Sequence, residues 1–441
     1  MARNSEMDLN DKKSTHVVII GGGASGTLVA IHLLNSGFQG RVTLVERDGE
    51  CGRGVAYGKC TDEHLLNVRA INMSAFPSDP GHFARWLAAN DLGEDSDAYV
   101  RRDYFGRYLG EVLKDASLKS PGRLSVVNES VRKVLQEGGR SKVACQSQTI
   151  EADHVVLALG NLPSRAPEPL CELRGHPRFM EDPWAGALPN IGASDSVLVI
   201  GTGLTMVDVA LQLDSLGHRG NILARSRRGL MPQRHRLNAP VSFSEAELAG
   251  EDVVRLVTRR VKEAGDDWRG VIDGLRAHTP AIWGRFSWEY RAKLIRRIQP
   301  YWDVYRHRMP GPVADRIEGL ISSGRWSVGK GSIEDTEVVD GRFEVSYRGA
   351  AAPVTVDWIV NCTGPQTNWR RAKSPVLESL VKDGSVQYDP LGLGLMVDGD
   401  GRVGSNVWAL GPLCRGCRFE TTAIPEIRAQ AARIAACLVG G

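Results

Sequence analysis

The chain has 441 residues, enough for two or three domains with a substantial core. A net charge of +3 argues for neither nucleic acid nor an anionic membrane as partner, and 42% hydrophobic against 24% charged residues is the balance of a globular protein. No apolar run approaches the length of a membrane-spanning helix, and Met1 to Ser14 is polar without a signal-peptide core, so the expectation is a cytoplasmic enzyme with a loose N-terminus over 1–14.

His16 to Ile20 is a short apolar, β-branched run and reads as a buried parallel strand. Gly21, Gly23 and Gly26 follow at G-x-G-x-x-G spacing, then a helix-period segment from Thr27 to Leu34, a stop at Gly37, and a second strand from Val42 to Val45. Gly21 permits the tight turn, Gly23 lets backbone N–H groups approach a diphosphate, and Gly26 lets the helix pack closely on the strand. Glu46, twenty residues after Gly26, stands where a carboxylate accepts from ribose hydroxyls. This set predicts an adenine dinucleotide site, with Gly22, Ala24, Ser25 and Arg47 part of the same loop and strand end.

Gly49 to Gly58 is a glycine-rich loop in which Arg53 can neutralise phosphate. Helices are expected at His82 to Asn90 and Arg101 to Leu113, then a β-meander from Leu124 to Leu159 that ends in a buried strand before Gly160. Pro163 to Pro169 is a proline-rich linker.

A second dinucleotide unit starts at Asp195. Val197 to Ile200 is its strand, Gly201 and Gly203 open the turn, and a helix runs from about Thr205 to Leu213, with Met206 in place of the third glycine. The following strand, Asn221 to Ala224, ends without an acid and is followed by Arg225, Arg227 and Arg228. Arginines there accommodate a 2′-phosphate, which favours NADPH over NADH.

From Val241 to Gly324 the chain turns helical and basic, with a capping box at Ser244 and Glu247 opening a helix that continues towards Lys262. Its densest aromatic stretch is Tyr301 to Pro310, where Arg306, His307 and Arg308 could face a cleft and select an acidic or polar substrate. Strands return from Phe343 to Thr363. The end of the chain reads as a strand (Val407 to Leu410), Gly411, a loop and a helix from about Thr422, whose N-terminus can face an anionic flavin ring edge. Of the eight cysteines only Cys414 and Cys417 form a C-x-x-C, and with no further pair or His cluster beside them no metal is expected.

Two Gly-rich units, the strands ending in LALGN and NCTGP, and a terminal ALGP before a helix resemble the two-dinucleotide-domain flavoproteins. GRGVAYG, NVRAINMSAFPSDPGHFARWL, DVYRHR and ETTAIPEIRAQA resemble, among them, the bacterial FAD/NAD(P)-binding oxidoreductases, related in layout to class B flavin monooxygenases. The resemblance implies an α/β fold with two Rossmann-like dinucleotide-binding domains, for FAD and NADPH, and a helical insertion. The expected division is 15–165 and 366–441 for FAD and 166–365 for NADPH, with the insert at 241–324. FAD would meet Gly21 to Gly26, Glu46, Arg47, Arg53, Asn67, Gly160, Gly411 and Thr422. NADPH would meet Gly201, Gly203, Thr205, Arg225, Arg227 and Arg228. The implied activity is monooxygenation of a small nitrogen- or sulfur-containing substrate by molecular oxygen, through a flavin C4a-hydroperoxide.

One departure concerns F-x-G-x-x-x-H, which those monooxygenases carry between their glycine motifs. In Leu173 to Trp184, Gly175 and His176 are adjacent instead, which speaks against a Baeyer-Villiger enzyme. No acid or base is assigned; His176, His235 and His307 are the candidates. Two alternatives stand beside monooxygenation: a flavin-linked reductase working through Cys414 and Cys417 or on a quinone-type acceptor, and a non-enzymatic flavin redox sensor.

Overall fold

The computed structural model describes residues 14–440 apart from 94, 187 and 251, so the expected loose N-terminus lies outside the described residues except for Ser14. Two parallel sheets organise the chain. The first runs β16-β7-β1-β2-β3, made of β1 (His16–Ile20), β2 (Arg41–Val45), β3 (Leu124–Val127), β7 (His154–Leu157) and β16 (Val407–Ala409). β1 is buried throughout, as a strand covered on both faces requires. Its alternate residues serve two cores. Val17 and Ile19 pack against α1 (Ala24–Asn35), α4 (Arg102–Lys119) and the terminal helix α15 (Ile424–Gly440). Val18 and Ile20 pack on the other face against the small antiparallel sheet β4 (Lys133–Glu137), β5 (Arg140–Ala144), β6 (Thr149–Ala152), and against α13 (Pro375–Lys382). Two short helices, α2 (Gly54–Gly58) and α3 (His82–Ala89), lie on the segment between β2 and α4.

The second sheet repeats the build in the order β11-β10-β9-β15-β8. Its strands are β8 (Phe179–Met180), β9 (Val197–Ile200), β10 (Ile222–Ser226), β11 (Trp326–Lys330) and β15 (Trp358–Asn361). Val197 and Val199 face α5 (Leu204–Ser215) and α12 (Gly311–Ser322), while Leu198 and Ile200 face the antiparallel sheet β12 (Ile333–Val339), β13 (Arg342–Tyr347), β14 (Val354–Val356). Between β10 and α12 lie α6 (Glu245–Gly250), α7 (Val253–Ala264), α8 (Trp268–Leu275), α9 (Thr279–Arg285), α10 (Trp288–Arg297) and α11 (Gln299–Arg306), with a small core of their own around Leu256, Val271 and Ile282. A last short helix, α14 (Arg415–Arg418), precedes α15.

Several expectations shift. The stretch 124–159 is not one meander, because β3 pairs in parallel with β2 and only β4 to β6 form the antiparallel sheet. The Ser244 and Glu247 capping box forms, with Ser244 N–H donating to Glu247 Oε2 at 2.9 Å, but the helix it opens ends at Gly250 and Asp252 caps a new one. The insert expected to reach 324 ends before α12, whose Val313, Ala314, Ile317 and Leu320 belong to the second main core and lead into β11, a strand the sequence reading missed. The final helix starts at Ile424 rather than Thr422.

Candidate dinucleotide sites and the seam between them

The two glycine turns are built alike. Gly21 at φ +103° donates to Val45 O at 2.9 Å, and Gly201 at φ +106° donates to Arg225 O at 2.8 Å. A Cβ at either position would lie 2.3 Å from a carbonyl oxygen of the neighbouring crossover strand end, Ala158 or Cys362, so only glycine fits. The third glycine differs. At Gly26 a Cβ would strike Gly21 O at 1.9 Å, whereas Met206 at the matching position is fully buried in the second core.

Both turns lead into helices that begin on a glycine, Gly23 and Gly203, with no side-chain cap. Side-chain caps are present on α7, α10 and α13, from Asp252, Ser287 and Ser374, and absent on α3, led by Gly81, and α4, led by Arg101; α1 and α5 differ from all of these in following a parallel strand through a positive-φ glycine. The first N–H groups of α1 and α5 are thus left for an anion, the donor set a diphosphate needs. Ala24 and Ser25 open α1, and Thr205 lies in the first turn of α5.

Around the first turn, Glu46 accepts from Gly22 N–H at 2.6 Å and from Asp48 N–H at 3.0 Å, which holds its carboxylate beside the glycine loop. Arg47 is exposed beside Asp48. The glycine-rich stretch after it folds over the turn: Gly52 N–H donates to Gly22 O at 2.9 Å, and a Cβ on Gly54 would come within 3.3 Å of Gly23 Cα. Its second half is α2 rather than loop. Arg53, half-exposed, pairs with Glu50 at 3.3 Å. Gly160 follows β7 at φ +67°.

At the far end of the same sheet, Gly411 N–H donates to Gln430 Oε1 at 3.0 Å, and a Cβ there would lie 3.4 Å from Ser25 Oγ. The loop after β16 and the second turn of α15 are therefore brought up to the start of α1. Thr421 is buried with a hydroxyl that has no hydrogen-bond partner, while the expected Thr422 is exposed. An uncapped glycine helix, a carboxylate at the end of β2 and an orphaned buried hydroxyl in the loop after β16 are groups that fit FAD. The loop reaches Thr421 through a tight γ-turn at Phe419 (φ 64°, ψ −67°), where Glu420 N–H donates to Arg418 O at 2.8 Å.

At the second site the arginines divide. Because β10 extends to Ser226, Arg225 lies inside the strand, and its guanidinium donates to Ser327 O at 2.9 Å and Ser327 Oγ at 3.1 Å on β11. It is thereby turned along the sheet and away from the strand end. Arg227 and Arg228 are exposed at that end, and Arg228 donates to Arg296 O at 3.2 Å and lies over Tyr301.

Each candidate histidine is engaged by neighbouring groups of the protein. His176 Nδ1 accepts from Arg178 N–H at 3.2 Å, and its ring packs on Phe343 under the second antiparallel sheet. His307 is pushed down to about 3 by burial and by the Arg306 and Arg415 guanidiniums, so it is neutral. His235, lowered to about 4 by burial and by Arg308, bonds Asn67 O at 3.1 Å and packs on Tyr99. Arg306 is buried 3.7 Å from Glu420, and Arg308 pairs with Asp273. The Arg306 and His235 contacts clamp the helical region to the first domain, whereas Arg308 and Asp273 both lie within it. The two cysteines are both held as hydrogen-bond donors. Cys414 is fully buried, its thiol pushed up to about 12 by burial, and it donates to Ala409 O; Cys417 donates to Leu395 O.

Sequence reading missed the seam. Residues 63–65 of the first domain insert into the second: Glu63 pairs with Arg316, His64 Nε2 bonds Asp208 O at 3.2 Å, and Leu65 packs against the second core. Arg102 at the start of α4 grips Asp208 on α5 through two bonds of 2.8 and 2.9 Å. The two connections between the domains run side by side where Ser164 bridges Pro365.

Residues 18–162 match the model of a family described as FAD-NAD(P)-binding. No curated protein matches the chain in sequence. Among solved structures, the chain is similar to the ornithine hydroxylase of Pseudomonas aeruginosa, with 15% identity, TM-score 0.64, and 97% of this chain and 99% of that one covered. It is also similar to an FAD-bound cadaverine monooxygenase of Erwinia amylovora (14%, TM-score 0.67, 97% and 95% covered). The bacillithiol disulfide reductase of Staphylococcus aureus shares the fold as well (14%, TM-score 0.61, 97% and 98% covered). Among the described residues no helix is long and apolar enough to cross a membrane. The chain therefore carries an FAD-NAD(P)-binding domain at residues 18–162 within the fold of the two-dinucleotide-domain flavoproteins.

Proposed function

We propose that this chain is an FAD-dependent, NADPH-using monooxygenase that transfers one atom of molecular oxygen to a small substrate through a nucleophilic nitrogen or sulfur. The observation that carries the reading is a pair of glycine-led, uncapped helices, each entered from a parallel strand through a positive-φ glycine, with a ring-end loop in which the Cys414 thiol is fully buried and the half-buried Cys417 thiol donates to Leu395 O. A reductase that passes electrons through Cys414 and Cys417 would need an exchangeable thiolate there. The ornithine hydroxylase and cadaverine monooxygenase of the same fold support the choice of a nitrogen substrate.

In this reading FAD, when bound, supplies hydride acceptance and oxygen activation, chemistry no side chain here possesses. The head of α1 would hold its diphosphate, Glu46 its ribose, and the loop before α15 its ring. The head of α5 would hold the NADPH diphosphate, and Arg227 and Arg228 its 2′-phosphate. The insert, tied down by Arg276 on Glu426 at 2.6 Å and by Trp302 on Glu420 at 2.7 Å, would roof the ring end and exclude water.

The test is turnover of the FAD-loaded protein with NADPH under ¹⁸O₂ against a panel of amines, amino acids and thioethers, read by mass spectrometry. One ¹⁸O per product molecule is expected for a nitrogen compound. NADPH consumption that yields only hydrogen peroxide with every compound, or product without label, would overturn the reading.

A further inference from the structure

The contact between the head of α4 and α5 is more elaborate than two packed domains require. Asp208 sits in the second turn of the helix whose first turn would hold the NADPH diphosphate, and it is 6% exposed. All three guanidinium nitrogens of Arg102 are used: Nη1 and Nη2 donate to the two Asp208 oxygens, and Nε donates to Leu65 O at 2.9 Å. The same turn is gripped from another side by His64, which is fully buried. Its Nδ1 accepts from Thr61 N–H at 3.1 Å, so the proton is on Nε2, which donates to Asp208 O. The His64 ring also packs edge-on against Trp184 of the second domain.

The segment doing the gripping leads directly to the flavin side. Arg102 N–H donates to His64 O at 3.0 Å, Leu65 bridges Arg101, and Asn67 O accepts from His235 of the insert. One short stretch of the first domain thus fixes both the NADPH helix and the insert. A bidentate, buried pair has essentially one arrangement, and its best-attested use is to set register rather than to add stability.

We infer that Asp208 is a positioning residue for hydride transfer: clamped by Arg102 and His64, it fixes the distance between the nicotinamide and the flavin by holding α5 in one register against the first domain. This rests on the FAD and NADPH reading above. It makes the two nucleotide sites a rigid pair, with Arg102, His64 and Asp208 acting through the helix rather than on the reacting atoms.

The experiment is anaerobic stopped-flow reduction of FAD-loaded protein by NADPH and by NADPH deuterated at the transferred position, for wild type, Asp208→Asn and Arg102→Lys. Asp208→Asn keeps shape and size, and Arg102→Lys keeps charge without the fork. In Asp208→Asn the limiting rate should fall about 10- to 100-fold, the scale of an ångström-level misplacement. The half-saturating NADPH concentration should stay within about threefold, with a larger isotope effect on the limiting rate. Arg102→Lys should fall between wild type and Asp208→Asn, and it carries the test if Asp208→Asn fails to fold or to hold FAD. Unchanged limiting rates and isotope effects in variants that merely melt earlier would overturn the inference and leave the function standing. A wild type that NADPH does not reduce would overturn both.

Discussion

Glu46 and the arginines after β10 occupy equivalent strand ends and have opposite charge, and each should act on its own nucleotide. Glu46→Ala is expected to weaken FAD binding about 10- to 100-fold, the range for a lost charge-assisted hydrogen bond, measured by titrating apoprotein with FAD and following flavin fluorescence. Arg227→Ala and Arg228→Ala should each raise the half-saturating NADPH concentration about tenfold and leave that for NADH unchanged, as expected of a contact to the 2′-phosphate. Arg225→Ala should behave differently. Its guanidinium is spent on Ser327, so the loss should appear in thermal stability and not in the NADPH-to-NADH ratio. Cys417→Ser should keep full NADPH turnover, since a serine hydroxyl can make the same donation to Leu395 O.

The helices show where a residue pattern suffices and where it fails. Strand, glycines and helix at both turns were legible because each glycine has a steric reason that spacing alone expresses: no Cβ fits at Gly21 or Gly201. Met206 reads in the sequence as a lost glycine. In the structure it is a core residue at 0% exposure, and Met206→Ala should destabilise the second domain by about 2–5 kcal/mol, read from chemical unfolding, with little change at the first site. Arg225 was misread because strand length is not written in apolar residues when the strand's last members are Arg225 and Ser226 at a sheet's polar end. β11 was missed for a similar reason: WSVGK alternates weakly, and its place is set by pairing with β10 over a hundred residues away in sequence. The split between α6 and α7 had a local signal in Gly250 and Asp252, which ends one helix and caps the next. The seam left no such trace. Nothing in the spacing of Arg102 and Asp208 predicts that they meet; only the docking of two finished domains brings them together.

Across the whole molecule, that docking concentrates buried charge and neutral histidine between the domains, with consequences for stability. Asp208→Ala leaves the largely buried Arg102 guanidinium without its carboxylate, and a loss of about 3–5 kcal/mol is expected, compared with far less for the more exposed Arg140 and Glu151 pair. His235 is neutral in the folded protein with a pKa near 4, against 6.5 when unfolded, so the unfolded chain takes up the proton first. Its contribution is whole above about pH 6.5 and is lost as pH falls towards 4, on the order of 3 kcal/mol. Denaturant midpoints at neutral and mildly acidic pH should show this decline, and His235→Gln should flatten it. On the proposed function, the two dinucleotide sites, locked in one register, work as a pair. The measurement that bears on it most directly is anaerobic mixing of the FAD-loaded protein with NADPH and, separately, with NADH while the oxidised flavin absorbance is followed. Rapid, complete bleaching by NADPH at concentrations where NADH is at least tenfold slower is the predicted result; bleaching by neither nucleotide, or by NADH in preference, would contradict it.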